Sequence, residues 1–151
     1  MALADLLNPD RLLLGSTAAS KKRALEHLSE LMANASSELS AGTVFDSFLV
    51  RERLGSTGLG FGVAIPHARQ PGATEAMGAF MRLAAPVDFD AMDREPVDLV
   101  FGLLVPEDCT DEHVQLLGEL AELLSEKEVR ESLRNASTAD EVLALMRRAP
   151  A

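Results

Sequence analysis

The chain has 151 residues, 47% of them apolar, one cysteine, and a formal net charge of −10 from 14 basic and 24 acidic side chains. The apolar share excludes general disorder, and the length suits one domain with a core of its own. The acidity, with no basic run to offset it, argues against a nucleic-acid binder, and a lone Cys109 excludes an intramolecular disulfide or a multi-cysteine zinc site.

No apolar stretch reaches the ~18 residues that a transmembrane helix needs. The start, Met1 to Leu7, is apolar but carries Asp5 and no basic flank, so it does not read as a signal peptide. A cytoplasmic location fits the cysteine count.

Leu12 to Leu14 reads as a short strand. Ser20 is placed to cap a first helix whose apolar stripe runs Ala24, Leu25, Leu28, Leu31, Met32 and Ala35. Ser40 is placed to cap a second, with Val44, Phe45, Phe48 and Leu49 inward and Gly55 as its stop. Four of the ten glycines then cluster at Gly55, Gly58, Gly60 and Gly62, which concentrates backbone freedom in one loop. Three strands are predicted next. Val63 to Ile65 ends at Pro66, Met77 to Leu83 is the second, and Val97 to Val105 is a nearly unbroken apolar run closed by Pro106.

Three helices close the chain. Thr110 is expected to cap one carrying Val114, Leu117, Leu120, Ala121 and Leu124. Ser125 with Glu128 makes a capping-box pattern ahead of Val129 and Leu133, and Thr138 with Glu141 repeats it ahead of Val142, Leu145 and Met146. Helices, then strands, then helices predict an α/β, layered architecture: a mixed β-sheet flanked by helices, in one domain spanning residues 1–151.

His67 directly follows the glycine cluster, in Val63-Ala64-Ile65-Pro66-His67-Ala68-Arg69. If the strand stops at Pro66, His67 lies where the chain leaves the sheet, exposed yet held by the strand behind it. Imidazole remains a nucleophile at neutral pH. A phosphoryl acceptor needs one free nitrogen, with the other fixed by a carbonyl or carboxylate, and amides of Gly58, Gly60 and Gly62 would suit phosphate oxygens. An ordinary loop histidine is the alternative. His113 falls in the first turn of the helix after Pro106, so both histidines follow strand ends and meet if those ends share a sheet edge. A solvent-facing or capping histidine is the alternative there. His27 receives no role.

Other chemistries fit poorly. No histidine pair has the i, i+4 spacing of a helical metal site. Gly55-Ser56-Thr57-Gly58 lacks the lysine of a P-loop, and Gly58-Leu59-Gly60-Phe61-Gly62 does not match a dinucleotide fingerprint. Ser56 and Thr57 are hydroxyl donors toward a phosphate or His67, or simply turn-formers. Arg51, Glu52 and Arg53 end the second helix, either as a solvated C-terminus or with an arginine reaching a phosphate.

Arg51-Glu52-Arg53-Leu54-Gly55-Ser56-Thr57-Gly58 followed by Gly62-Val63-Ala64-Ile65-Pro66-His67 resembles the signature of the fructose/mannitol-type IIA domain of the bacterial phosphotransferase system. Val97-Asp98-Leu99-Val100-Phe101, Leu103-Leu104-Val105-Pro106 and His113 with Leu116 and Leu117 extend the likeness over nearly the whole chain. Leu6-Leu7-Asn8-Pro9, the Asp88-Phe89-Asp90-Ala91 stretch and the lack of a fused permease or carrier segment are most similar to the family's nitrogen-regulatory branch.

The resemblance implies the IIA fold and a histidine phosphotransferase. His67 is the expected phosphoryl acceptor, loaded by an HPr-like phosphocarrier of the nitrogen-branch type. His113 is expected to assist and Arg51 to support the phosphate, with Ser56, Thr57 and Gly58 as phosphate or loop support. It implies no metal and no organic cofactor, and partners selected by phosphorylation state. The alternative is a sugar-transport component passing phosphate to a permease IIB domain. Donor docking calls for a shallow, partly apolar ring around His67, with Phe61 and Leu59 as candidates. Two positions depart from the family pattern: Ala68 stands where glycine usually follows the histidine, and Gln115 where some members carry a further histidine.

Overall fold

The apolar run that closes at Pro106 is the spine of the protein. In the computed structural model, which describes residues 3–34, 36, 38–108 and 111–147, it forms β6 (Val97–Pro106) and pairs along both edges. On one edge lies the antiparallel β5 (Met77–Val87), followed by β1 (Leu12–Ser16) parallel to β5. On the other edge lie two short strands end to end, β3 (Val63–Ala64) and β4 (His67–Gln70), both parallel to β6. The glycine-rich β2 (Gly58–Gly60) pairs antiparallel with β3. The sheet is mixed, as expected.

A strand paired on both edges and covered on both faces must be apolar throughout, which explains the unbroken composition of β6. Leu99, Phe101 and Leu103 join one core with Phe80, Val63 and Ile65. That core is closed by α3 (Asp111–Leu124), α4 (Lys127–Asn135) and α5 (Ala139–Arg147). Val100 and Leu104 join a second core with Leu28, Met32 and Phe48, closed by α1 (Lys21–Asn34) and α2 (Ala41–Glu52). Gly102 admits α1 closely: a Cβ there would stand 2.7 Å from the Leu28 side chain. No described helix is long and apolar enough to cross a membrane.

The caps explain several boundaries. Ser20 Oγ accepts the Arg23 N–H at 3.1 Å, and Ser40 Oγ accepts that of Thr43 at 3.3 Å. Thr138 Oγ1 accepts the Glu141 N–H at 3.3 Å while Glu141 Oε2 takes the Ser137 N–H at 2.8 Å. The expected cap at Ser125 is not made. Its hydroxyl donates back to Glu122 O at 2.6 Å, and α4 starts from Glu126 with no side-chain cap. Arg130 holds that junction instead, donating to Leu124 O and Ser125 O at 3.2 and 2.6 Å and so satisfying carbonyls left open where α3 ends. The expected cap at Thr110 and the stripe position Ala35 lie outside the described residues.

Two further expectations change. The strand predicted to stop at Pro66 resumes at His67. Proline lacks an N–H and interrupts the ladder, yet the Leu103 N–H still reaches Pro66 O at 2.9 Å, so the chain keeps following β6. The buried stripe of α3 is Leu116, Leu120, Leu123 and Leu124, while Val114 is 62% exposed and Leu117 is half-buried. The first turn of α3 faces a cavity rather than the sheet.

Candidate functional site

His67 is the first residue of β4, opposite Leu103. Its Nδ1 lies 2.8 Å from Ile65 O, and its Nε2 lies 3.3 Å from Arg51 Nε. A carbonyl only accepts and a guanidinium only donates, so the proton sits on Nδ1 and the Nε2 lone pair points at Arg51. Arg51 also donates through Nη1 to Gly55 O at 2.9 Å, which ties the guanidinium to the loop leaving α2. Burial pushes the imidazole below its ordinary 6.5, and the Arg51 charge acts the same way; the Ile65 carbonyl and the Glu52 carboxylate oppose them. The outcome is a neutral imidazole with a directed lone pair.

His67 lines a cavity of about 590 Å³ between the last turns of α2, β4, the end of β6 and the first turns of α3. His67 and His113 both line it. The two strand ends therefore do share an edge: β4 runs parallel to β6, and α3 follows the end of β6. The rest of the wall is mainly apolar, with Val50, Leu54, Val105, Val114 and Leu117. Leu54 is 81% exposed and Val50 59%, so the rim turns apolar surface to solvent.

Phe61 and Leu59 are not part of that rim. Phe61 caps the β2–β3 hairpin at φ 58°, near the start of β6. Val63 faces Leu99 and His67 faces Leu103, four residues along β6, or roughly 13 Å. There the Phe61 ring lies 4.5 Å from the Arg130 guanidinium, its N–H donates to Asp93 Oδ2 at 2.9 Å, and its carbonyl accepts from Arg134 Nη2 at 2.7 Å. None of Gly58, Gly60 and Gly62 lines the His67 cavity, and the Gly58 N–H is taken by Ser56 Oγ at 3.0 Å. The Ser56 hydroxyl donates to Phe89 O at 2.6 Å and that of Thr57 to Glu52 Oε1, so both hydroxyls hold the loop.

Sequence reasoning read Glu52 only as part of the end of the second helix and passed over Lys21. The Glu52 side chain is only 5% exposed and meets Lys21 Nζ at 2.8 Å. The available signal was an acidic residue in the last turn of a helix, where the dipole disfavours it unless a cation is near. His27 is bonded through Nδ1 to Ser16 Oγ at 3.0 Å. Among the described residues no group of three His, Cys, Asp or Glu side chains is placed to hold a metal ion.

Comparison with known proteins places the chain in a family. Residues 5–149 match the family described as phosphoenolpyruvate-dependent sugar phosphotransferase system, EIIA 2. A protein of Pseudomonas aeruginosa named nitrogen regulatory protein is 48% identical over 138 residues, 91% of this chain and 90% of that one. The crystal structure of nitrogen regulatory protein IIA-Ntr from Neisseria meningitidis superposes with a TM-score of 0.90 at 47% identity, covering 95% of this chain and 98% of that one. The mannitol enzyme IIA of Escherichia coli, solved in complex with phosphorylated mannitol enzyme IIB, gives a TM-score of 0.75 at 26% identity over 93% of this chain and 96% of that one. The chain belongs to the EIIA 2 family of the phosphotransferase system, whose IIA domains are phosphoryl carriers.

Proposed function

We propose that this member of the EIIA 2 family acts as one IIA domain over residues 1–151 and is a regulatory protein of the nitrogen-type phosphotransferase system. It takes a phosphoryl group onto His67 from the phosphohistidine of an HPr-like carrier, in the cytoplasm, and its two states select different partners. One observation carries the reading: an imidazole held through Nδ1, with Nε2 beside an arginine, on the wall of an open, mainly apolar cavity.

The transfer exchanges one P–N bond for another. The Nε2 lone pair attacks phosphorus while the donor's P–N bond breaks and its electron pair returns to the donor imidazole. His67 keeps its Nδ1 proton, and the Ile65 carbonyl stabilises the positive charge that develops on the ring. Arg51 turns from Nε2 to the phosphoryl oxygens, whose charge spreads over three atoms in the transition state. His113, on the same wall, is assigned to assist there. The exposed apolar rim of Val50, Leu54 and Val114 suits a transient partner. Adding a dianionic group to a chain of net charge −10 changes which surfaces approach it.

Names of similar proteins support the regulatory reading. The mannitol complex supports a second, in which the group passes on to a IIB domain. Intact mass after incubation with a phosphorylated HPr-type carrier tests the shared step. Wild type should gain one acid-labile phosphoryl group and His67→Ala none; no gain from a donor competent on another IIA protein rejects it. A chase with dephosphorylated IIB domains then separates the readings. Retention of the group supports the regulator, and loss to a IIB domain supports transport.

A further inference from the structure

Glu52 is a carboxylate held in an unfavourable place. It ends α2, where the helix carbonyls repel an anion, and its side chain is almost fully buried. Three donors compensate it. Lys21 Nζ lies at 2.8 Å, the Thr57 N–H at 3.3 Å, and the Thr57 hydroxyl bonds the other carboxylate oxygen. Lys21 also reaches Phe89 O at 3.3 Å, the carbonyl that Ser56 Oγ bonds from the loop side. Helix α1, the end of α2, the following loop and the segment around Phe89 are thus drawn together on this one group.

The connection onward leads to the imidazole. Ile65 belongs to neither ladder with β6, which holds Val63 and Ala64 and then His67 to Gln70. The residue is anchored instead by Thr57, whose carbonyl accepts the Ile65 N–H at 3.0 Å. The Ile65 carbonyl accepts the His67 Nδ1 proton at 2.8 Å. Consecutive residues of α2 therefore govern the two ring nitrogens. Arg51 meets Nε2 directly, and Glu52 acts on Nδ1 through Thr57 and Ile65.

We infer that Glu52 is a positioning residue for His67: by fixing Thr57 it holds the Ile65 carbonyl on Nδ1 and keeps Nε2 the unprotonated, reacting nitrogen. The inference rests on the proposed phosphoryl transfer for its consequence, but not for its geometry. Without the carbonyl in place, only the longer 3.3 Å contact from Arg51 favours the Nδ1–H tautomer, and part of the ring proton population moves to Nε2, where it blocks attack.

The test uses the full chain with ¹⁵N-labelled histidine. The Nδ1 and Nε2 shifts of His67, read at a pH where the ring is neutral, report the tautomer directly. Wild type is expected in the Nδ1–H form. Glu52→Ala and Thr57→Val should shift it toward a tautomer mixture, with phosphoryl acceptance slowed by about 100-fold at unchanged donor KM, the scale expected for a misplaced reacting group. Glu52→Gln, which keeps an acceptor for Thr57 but loses the Lys21 ion pair, should keep the Nδ1–H form. Val142→Ala, in the opposite helix layer, should lower Tm and leave the shifts alone. A folded Glu52→Ala with wild-type shifts overturns the inference. If that variant does not fold, Thr57→Val with wild-type shifts overturns it equally. Should wild type accept no phosphoryl group while the tautomer still follows Glu52, the proposed function fails and the positioning role stands.

Discussion

The two ends of the β3–β4 edge each place an arginine against a ring, with opposite results. At the Phe61 end the cations are consumed. Arg134 pairs with Asp98 at 2.9 Å and bonds the Phe61 carbonyl, and Arg130 lies over the ring while capping α3. At the His67 end Arg51 donates to a neutral nitrogen and a carbonyl, and it forms no ion pair among the described residues. A guanidinium neutralised by a carboxylate holds structure together. Arg130, on carbonyls and a ring face, is buried in the structure it caps; Arg51 meets neutral acceptors on the wall of an open cavity and keeps its charge for an incoming anion.

Substitutions at each end break or sharpen this contrast. The largest effect is expected for His67→Ala, with complete loss of phosphoryl acceptance by intact mass. Arg51→Gln should slow acceptance by roughly 100- to 1,000-fold, the range for removing one donor aimed at transition-state charge, with Tm nearly unchanged. A wild-type rate in Arg51→Gln would sink the contrast. Leu54→Ser should raise the donor KM by about 10-fold, on the order of one lost apolar side-chain contact, without altering the single-turnover rate. Arg134→Gln should do the reverse. It should cost about 1–2 kcal/mol of stability, read from the urea midpoint, because Asp98 and the Phe61 carbonyl lose their donor, while acceptance stays at the wild-type rate.

The smallest effect is in pH. The His67 pKa lies below 6.5 when folded, mainly through burial. Acceptance should be flat above pH 6.5 and fall in acid as Nε2 protonates, with a midpoint below 6.5. The linked stability has the same sign. The unfolded chain takes up this proton first, so the contribution is full above 6.5 and is lost as pH falls through the folded value. Arg51→Gln removes one cause of the depression and should move the acid limb of the rate profile upward.

What was legible in the sequence was what neighbours in the chain decide. Ser20, Ser40 and Thr138 cap by local bonds, and β6 announces itself by composition. His67, Arg51 and His113 were picked out as candidates from sequence motifs, and the parallel pairing of β4 with β6 brings them to one cavity. What escaped was decided by packing across the fold. Val114 looks like any stripe residue until β4 and α2 leave an opening beside it. Phe61 is near His67 in sequence but is carried to the far end by the hairpin. Glu52 looked solvated because Lys21, thirty-one positions earlier, is what buries it.

The interruption at Pro66 also has a mechanical consequence. It separates two residues of β3 from four residues of β4 on the same edge of β6. Amide exchange should therefore divide there, slow at Val63 and Ala64 and faster along His67 to Gln70, which hold β6 on one side only. A strand jointed in this way is compliant at His67 and stiff toward the core. Under the proposed phosphoryl transfer, the arrival and departure of a dianion on Nε2 would be absorbed over these four residues and leave the helix layers behind them undisturbed.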